Sequence, residues 1–232
     1  ANTVEAIEMG ASVFLIDEDT SATNFMIRDE LMQRVVQRDV EPIIPFIDRV
    51  RELYESYGIS TILVAGSCGS YFHKADTILQ MNRYEPMEIT AFAKKEAESF
   101  PMPTEQVPHS DKPDMKRIVK ADIAFQKDNR IKMKTMGKDG ISINKETVDL
   151  RYVEQLVDSE QLNGLAQILK YMKLHVFDGK TTLQAGVEKL YQQMEKKGFA
   201  AFCGNAVPGN MVLPRKQEIY AMLNRCRNLI KM

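Results

Sequence analysis

Two adjacent carboxylates, Asp17 and Glu18, follow a short apolar run and are the residues of this sequence best placed to do chemistry. The run, residues 12–16, carries β-branched and aromatic side chains, a pattern that predicts a buried strand of a parallel sheet. A carboxylate at the carboxyl end of such a strand can hold Mg²⁺, usually through water. The next carboxylate can orient or activate an attacking water. The pair therefore predicts a metal-assisted hydrolytic site.

The acid pair also has a plainer interpretation. Apolar runs that end in Asp-Glu are common, and many only mark the point where a strand enters a loop. A further alternative is a metal-dependent hydrolase that uses Asp17, Glu18 and Asp19 without a nucleotide. The three histidines are far apart in the sequence and show no metal-ligand spacing, so they do not support that alternative.

The residues after the acid pair resemble a known family. The stretch Leu15-Ile16-Asp17-Glu18-Asp19-Thr20-Ser21-Ala22-Thr23-Asn24 resembles the Walker B motif and D-loop of ABC-class ATPases. Through Phe25-Met26-Ile27-Arg28-Asp29 it looks more narrowly like the predicted ATPases of that class. Further similar segments lie at 41–50, 71–76, 214–216 and 223–225. The resemblance therefore covers most of the chain and is most specific at 15–29.

The resemblance implies a set of site residues and ligands. Asp17 would hold the metal, and Glu18 would be the catalytic residue that acts on water. ATP and Mg²⁺ would be the cofactors of the intact protein. The D-loop, which faces the opposite nucleotide site in a homodimer, would consist of Ser21, Ala22, Thr23 and Asn24. The role of Asp19 stays open.

The switch position departs from that of ABC transporter ATPases. Those proteins carry a histidine at the end of the strand after Walker B, where this sequence has Gly66 followed by Ser67. Ser67 offers a hydroxyl but cannot act as an imidazole. We therefore expect neither transport nor a histidine-dependent switch.

No P-loop motif occurs in the sequence. The nearest candidate, Gly179-Lys180-Thr181, lacks the glycine required five residues earlier, where Leu174 stands. We interpret Asp178-Gly179 as turn and helix-cap chemistry. In the resembled ATPases the P-loop and the signature loop precede the helix before Walker B. We therefore expect both in a missing N-terminal part, and expect this fragment alone to be inactive and to hold no cofactor tightly.

The order of predicted elements divides the chain into two domains. Residues 1–98 alternate helices and strands, which predicts an α/β fold: the C-terminal part of an ABC-type core, with a partial P-loop NTPase parallel sheet. Four prolines in 99–114 predict a linker. Residues 115–232 predict a smaller α+β accessory domain with basic strands. The predicted elements are strands at 12–16, 60–65 and 77–81, helices at 2–9, 26–38, 46–57, 159–174, 181–197 and 215–230, and turns at 128–129 and 138–140.

Positive charge is concentrated in the second domain. Residues 112–145 contain ten Lys or Arg and four Asp, whereas the first 100 residues hold 9 Lys or Arg against 17 Asp or Glu. Arg130, Lys132 and Lys134 alternate with apolar residues, so they share one strand face. With Lys120 they are candidate nucleic-acid contacts, and the resemblance makes RNA a candidate partner. The alternative is a solvated face or a lysine-protected sheet edge.

Composition narrows the class of protein further. No apolar run approaches the roughly 18 residues that a membrane span needs, and no secretory signal pattern is visible. The three cysteines are an odd number without metal-ligand spacing, as expected for reduced thiols. The sequence therefore predicts a cytoplasmic protein with no membrane partner.

Overall fold

The computed structural model describes residues 2–36, 40–41, 43–102, 114–121, 131–144, 146–227 and 229–231. They form two compact units, one of residues 11–111 and one of residues 1–10 together with 112–232. The sequence assigned the first ten residues to the ATPase core, whereas the structure groups them with the C-terminal residues. The predicted linker 99–114 spans the second change of unit, but its residues 103–113 lie outside the described part of the chain.

The first helix, α1, spans Asn2–Glu8 and ends as predicted next to Gly10, whose φ is 77°. Its acidic side chains bind the C-terminal residues of its own unit. Glu8 forms a two-pronged ion pair with Arg117, with both N–O distances 3.0 Å, and Glu5 pairs with Arg225 at 3.1 Å. These contacts explain why α1 belongs to the second unit.

Two parallel strands carry the acid pair in the unit of residues 11–111. Strand β1, Val13–Asp17, pairs with β2, Ser60–Val64, with Leu15 opposite Ile62 and Asp17 opposite Val64. The helices between them are α2 (Thr23–Met26), α3 (Glu30–Val35) and α4 (Phe46–Tyr57). The α/β fold class is confirmed, as are both strands and α4. The single helix predicted at 26–38 is wrong, because the chain is extended at 27–29 between α2 and α3.

The expectation that both strands are buried is wrong for one face of this sheet. Phe14 is buried, but Leu15 is 76% exposed and Ile62, its partner in the register, is 61% exposed. Val13 and Val64 are exposed on the same face. Side chains alternate along a strand, so this apolar face also bears Asp17. Parallel sheets are normally covered on both faces, which makes the exposure unusual.

The third predicted strand belongs to a separate hairpin. Strand β3, Leu79–Asn82, pairs antiparallel with β4, Glu85–Glu88. The turn residues Arg83 and Tyr84 have φ values of 48° and 69°. Two-residue turns with positive φ are usually marked by Asn-Gly or Asp-Gly, so this sequence gave no hairpin signal. Helix α5, Thr90–Ala97, follows and packs against a 3₁₀ helix, Gly69–His73.

The second unit is α+β, as predicted. Its described elements are β5 (Ile118–Ala121), β6 (Met133–Thr135), β7 (Gly140–Ile143), β8 (Glu146–Asp149), α6 (Ser159–His175), β9 (Asp178–Thr182), α7 (Leu183–Lys197), α8 (Ala200–Cys203), α9 (Lys216–Asn224) and β10 (Leu229–Lys231). Strands β6, β7 and β8 form one antiparallel sheet in that order, and β10, β5 and β9 form another. The predicted helix 215–230 is too long, because α9 ends at 224 and the chain continues into strand β10.

Helix α6 is the centre of this unit. Its apolar residues Leu162, Leu165, Ile168 and Leu169 are fully buried in the core that the two sheets, α7 and α9 share. An Asp158 side chain accepts the Glu160 amide at its start and forms a capping box. The helix therefore gives the unit a fixed surface against which loops and strand edges pack.

Candidate functional site

The acid pair lies where two parallel strands end together. Asp17 is the last residue of β1 and is exposed, and its Oδ1 accepts the Asp19 amide at 3.2 Å. The Glu18 amide donates to the carbonyl of Val64, the last residue of β2, at 2.9 Å. This bond fixes the backbone of the acid pair against the neighbouring strand. Open α/β sheets bind ligands at this end of their strands.

The Glu18 side chain reaches the loop that follows β2. Its Oε2 accepts the amides of Gly66 at 3.1 Å and Ser67 at 3.3 Å, and its Oε1 accepts the Ser67 hydroxyl at 3.2 Å. The Asp19 carboxylate approaches the same place, since a Cβ on Gly66 would lie 3.1 Å from Asp19 Oδ2. The structure thus brings together Glu18 and the two residues that the sequence placed at the switch position.

The predicted D-loop begins with a tight turn. The Ser21 hydroxyl donates to the Asp17 carbonyl at 2.7 Å and the Ser21 amide donates to the Glu18 carbonyl at 3.1 Å. Ser21 therefore closes the turn and is half-buried, whereas Ala22, Thr23 and Asn24 are exposed. Helix α2 starts at Thr23, and these three residues lie on the surface shortly after the acid pair.

Tyr71 anchors the end of α2 at Met26, a role that its residue type alone does not predict. It is buried in the 3₁₀ helix, and its hydroxyl donates to the Met26 carbonyl at 2.8 Å. Burial, followed by the charges of Cys68, Glu18 and Asp48, raises the pKa of Tyr71 above its ordinary value. The hydroxyl is therefore a permanent donor, and it ties α2 to the loop that contacts Glu18.

Cys68 directly follows Ser67, and its thiol is close enough to Glu18 to be affected by the charge of that carboxylate. Burial raises the pKa of the Cys68 thiol most, and the negative charge of Glu18 adds to that rise, while hydrogen bonds from Ser70 and Tyr71 oppose it. The thiol is thus held in its protonated form beside an acid. This arrangement does not favour a nucleophilic cysteine.

The donors at the strand end fit a hydrated Mg²⁺ better than a metal held by protein alone. Asp17 presents an exposed carboxylate, and Mg²⁺ commonly binds to one or two carboxylates while keeping waters and substrate phosphates as its other ligands. Among the residues that the structure describes, no three His, Cys, Asp or Glu side chains form a metal-binding group. The alternative of a nucleotide-free metal hydrolase therefore gains no support from the described geometry.

The basic strand has the orientation that the sequence predicted. Lys132 and Lys134 are exposed, while Ile131 and Met133 pack against the core. Strand β6 is at the edge of its sheet. Neither lysine side chain has a hydrogen-bond or ion-pair partner in the described ranges. Arg130 lies outside those ranges, and Lys120, on β5, belongs to the other sheet of the unit.

The segment that resembles a P-loop forms strand β9, Asp178–Thr182, whereas the sequence predicted turn and helix-cap chemistry at Asp178-Gly179. The Asp178 carboxylate accepts the amides of Lys180 and Thr181, both at 2.8 Å. Thr182 then caps α7 by accepting the Ala185 amide. These amides are satisfied by a side chain of their own segment, so they do not form a phosphate cradle.

Comparison with known proteins gives two family matches. The ABC_ATPase family model, described as a P-loop domain, matches residues 1–117, which is just over half of the chain. A second model, described as the MRB1590 C-terminal domain, matches residues 132–231. No curated protein matches the chain significantly. The first match covers the acid pair, the D-loop segment and the loop at Gly66–Ser67.

No helix in the described residues is both long enough and apolar enough to cross a membrane.

Proposed function

Because this chain belongs to the ABC-class ATPase family through its P-loop domain, we propose that it supplies the hydrolytic acids of an ATP-hydrolysing site. Proteins with this domain bind a nucleotide and Mg²⁺. The observation that carries the proposal is the position of Asp17 and Glu18 at the shared carboxyl end of β1 and β2. In this assignment Asp17 holds Mg²⁺, which neutralises charge on the phosphates.

Glu18 orients the attacking water in this proposal. Its carboxylate accepts three hydrogen bonds from Gly66 and Ser67, which fix its position while leaving lone pairs for a water proton. A preorganised acceptor of this kind lowers the activation barrier by holding the water in position, because the water must attack the γ-phosphate in line with the leaving group. Gly66 and Ser67 therefore act as positioning residues for the acid.

The exposed apolar face of the β1–β2 sheet supports a second part of the proposal. Leu15 and Ile62 lie on the same face as Asp17 and lack the cover that parallel strands normally have. The sequence holds no P-loop, which the family requires. We propose that the intact protein packs its P-loop segment on this face, next to Asp17, and that the present residues alone do not hydrolyse ATP.

The exposed residues Ala22, Thr23 and Asn24 are the proposed contact with the second subunit of a homodimer. They follow the acid pair directly, and no described hydrogen bond uses the Thr23 or Asn24 side chain. The turn that Ser21 closes holds them at the surface. A dimer formed here would place this loop against the nucleotide of the partner subunit.

A Glu18→Gln substitution in the intact protein tests the proposed catalytic role. We expect ATP hydrolysis to fall by about 10² to 10⁴-fold while ATP binding is retained, because the amide cannot take a proton. Asp17→Asn should instead weaken Mg²⁺-dependent nucleotide binding. Glu55→Gln, at an exposed position of α4, is the matched control. Strong hydrolysis by the present chain, retained in Glu18→Gln, would refute the assignment.

A second candidate function is RNA binding through the basic strand. It is favoured by the exposed ammonium groups of Lys132 and Lys134 at the sheet edge, which have no partner among the residues that the structure describes. In this proposal ATP turnover gates RNA binding, and Lys120 and Arg130 are additional candidate contacts. Phosphate contacts of this kind weaken as salt concentration rises. The counterions that binding releases from the RNA gain less entropy when the surrounding solution already contains more salt.

The double substitution Lys132→Glu/Lys134→Glu tests this second function. We expect RNA affinity to drop. The slope of log affinity against log salt concentration should become shallower by about two, which is about one for each lost phosphate contact. Lys189→Glu/Lys196→Glu on the exposed face of α7 changes the net charge equally and is the matched control. Unchanged RNA affinity in the first variant, or an equal loss in both, would reject the basic strand as the contact.

A further inference from the structure

A pocket of about 150 Å³ opens to solvent in the second unit, beside β6, which is the edge strand of the described β6–β7–β8 sheet. Three walls line it. The first is the β6 edge from Met133 to Thr135, the second is one face of α6 at Asn163 and Gln167, and the third is the loop from Pro208 to Met211. None of these residues belongs to the acid pair, so the cavity is separate from the proposed ATPase site.

Side-chain hydrogen bonds join the three walls. The Thr135 hydroxyl donates to Asn163 Oδ1 at 2.8 Å, and Asn163 Nδ2 donates to the Asn210 carbonyl at 2.9 Å. Asn163 thus links the strand to the loop across α6. The Val212 amide adds a bond to the Glu160 carbonyl at 3.1 Å. The cavity is therefore formed before any ligand arrives.

The outer edge of β6 carries backbone groups that do not pair with β7. The Asn144 amide bonds the Lys132 carbonyl and the Met136 amide bonds the Gly140 carbonyl, so residues 132, 134 and 136 exchange hydrogen bonds with β7. In an antiparallel pair the alternate residues, Met133 and Thr135, turn their amides and carbonyls away from the partner strand. An edge strand with such groups can pair with a ligand that has its own donors and acceptors.

Two further polar side chains are available. Gln167, on the α6 wall, and Lys134, on the strand wall, have no hydrogen-bond or ion-pair partner among the described residues. Gln167 offers both a donor and an acceptor in one plane, and Lys134 offers a positive charge. Met133 and Met211 supply polarisable thioethers, which make favourable contacts with aromatic rings.

We propose that this cavity binds a pyrimidine nucleotide, with the base inside and the phosphate near Lys134. An engineered protein cavity of about 150 Å³ accepts one benzene ring, so this volume suits a single six-membered ring better than a fused purine, which would extend into the open side of the pocket. The methionines contact the ring, while Gln167 and the β6 backbone pair with its donor and acceptor edge. The proposal does not depend on ATP hydrolysis or on the basic-strand function.

The nucleotide can be a free one or part of a single-stranded RNA, since both present the same base and phosphate. An extended peptide is the competing occupant of a strand edge. It fits less well, because α6 and the 208–211 loop line the space beside β6 that an added strand would need. Lys134 of β6 and the preceding Lys132 also oppose strand addition.

Nuclear magnetic resonance titration of the full chain tests the proposal at the site itself. The signals followed are the Gln167 side-chain amide and the methyl groups of Met133 and Met211. Uridine and cytidine monophosphate should shift these signals saturably, and adenosine monophosphate should do so at least about tenfold more weakly. Equal shifts from the purine, no saturable shift from either pyrimidine, or shifts from an extended peptide instead would overturn the proposal.

Matched variants assign the contacts. Gln167→Leu keeps the side-chain volume and should weaken uridine monophosphate binding about tenfold, whereas Gln192→Leu on α7 should not. Lys134→Gln should weaken binding of uridine monophosphate but not of the nucleoside uridine, which has no phosphate. Lys189→Gln is the control and should change neither affinity. Gln167→Ala is the second variant if Gln167→Leu does not fold. Unchanged affinity in a folded Gln167 variant would reject the site.

A short oligouridylate separates the two sources of the ligand. If it shifts the Gln167 amide and loses affinity in Lys134→Gln, the base is taken from RNA. If only the mononucleotide shifts the amide, the cavity binds free nucleotides. Both results uphold the cavity as a pyrimidine site, and loss of ATP hydrolysis in Glu18→Gln leaves either of them unaffected.

Discussion

The Ser67 hydroxyl donates a hydrogen bond of 3.2 Å to the carboxylate of Glu18, which joins the loop after β2 to the acid at the end of β1. Two amides of the same loop bind the other oxygen of that carboxylate. The position of the acid is therefore set mainly by backbone groups, and the hydroxyl adds a third contact. We therefore expect loss of the hydroxyl to have a smaller effect than loss of the carboxylate.

Ser67→Ala should lower ATP hydrolysis by the intact protein only about three- to tenfold, far less than Glu18→Gln. A hydrogen bond to a charged group contributes about 1.5–3 kcal/mol, and only about half of this should appear in the barrier because both amide bonds still hold the carboxylate. Steady-state hydrolysis measures the effect, with Ser99→Ala at an exposed position as control. A loss as large as that of Glu18→Gln would mean that the hydroxyl itself takes part in the reaction.

A buried ion pair should make Lys173→Met strongly destabilising. The Lys173 ammonium lies 3.0 Å from Glu146 Oε2, and the two side chains are 1% and 7% exposed. Removing the ammonium leaves a buried carboxylate charge, which costs about 3–5 kcal/mol in such pairs. Lys173→Met/Glu146→Gln should recover much of this loss, because no charge then remains to be compensated.

The free energy of unfolding in urea measures the effect of each substitution, and Lys216→Met, which breaks an exposed ion pair, is the control. Lys216 pairs with Glu188 at a position where both side chains are about half exposed, so its loss should cost at most about 1 kcal/mol. Similar losses for Lys173→Met and Lys216→Met would show that the buried pair is compensated by water.

Cys226 should resist alkylation in the native protein. Burial is the main cause that raises the pKa of its thiol to about 11, and the positive charge of Lys173 opposes the rise. The thiolate is the reactive form, so at about pH 8 Cys226 should react much more slowly than in the unfolded chain. Mass spectrometry after iodoacetamide treatment measures this, with the more exposed Cys203 as the internal control.

The same thiol predicts a pH dependence of stability. Because its pKa is higher in the fold than the ordinary value of 9.0, the protonated thiol stabilises the fold fully below about pH 9. This contribution is lost as pH rises towards 11. Urea midpoints should therefore fall more steeply over this range for the native sequence than for Cys226→Ala. Parallel curves would contradict a raised pKa.

Gly164→Ala should destabilise the second unit by about 1–3 kcal/mol. A Cβ at this position of α6 would collide with the Val212 carbonyl oxygen and lie 3.2 Å from Pro214 Cδ, so the loop must move. Thermal unfolding should detect the loss. Gly209→Ala, in the same loop, has no atom near its added Cβ and should be nearly neutral.

The sequence was informative where local chemistry decides the structure. Apolar runs predicted β1 and β2, the apolar spacing of 46–57 with Gly58 predicted α4, and alternation predicted the outward lysines of β6. The residues after Asp17 and Glu18 identified the family, and the resemblance placed Gly66 and Ser67 at the switch position. The catalytic, metal and dimer roles of these residues remain predictions.

The features that the sequence missed depend on contacts between distant residues. The hairpin turn at Arg83–Tyr84 contains no glycine or asparagine, so its positive φ values left no trace in composition. The apolar residues of β1 and β2 predict that both faces of the sheet are buried. Apolarity alone does not say which part of the protein would cover them. The cavity beside Gln167 forms only when β6, α6 and the 208–211 loop meet.

The ion pairs of α1 have a consequence for the order in which the chain is made. Glu5 and Glu8 leave the ribosome long before Arg117 and Arg225, their partners in the folded unit. A short helix is marginal by itself, so α1 gains these stabilising contacts only after residues 117 and 225 have been synthesised. The unit of residues 11–111 is synthesised in between, so each of these pairings closes a loop of more than a hundred residues.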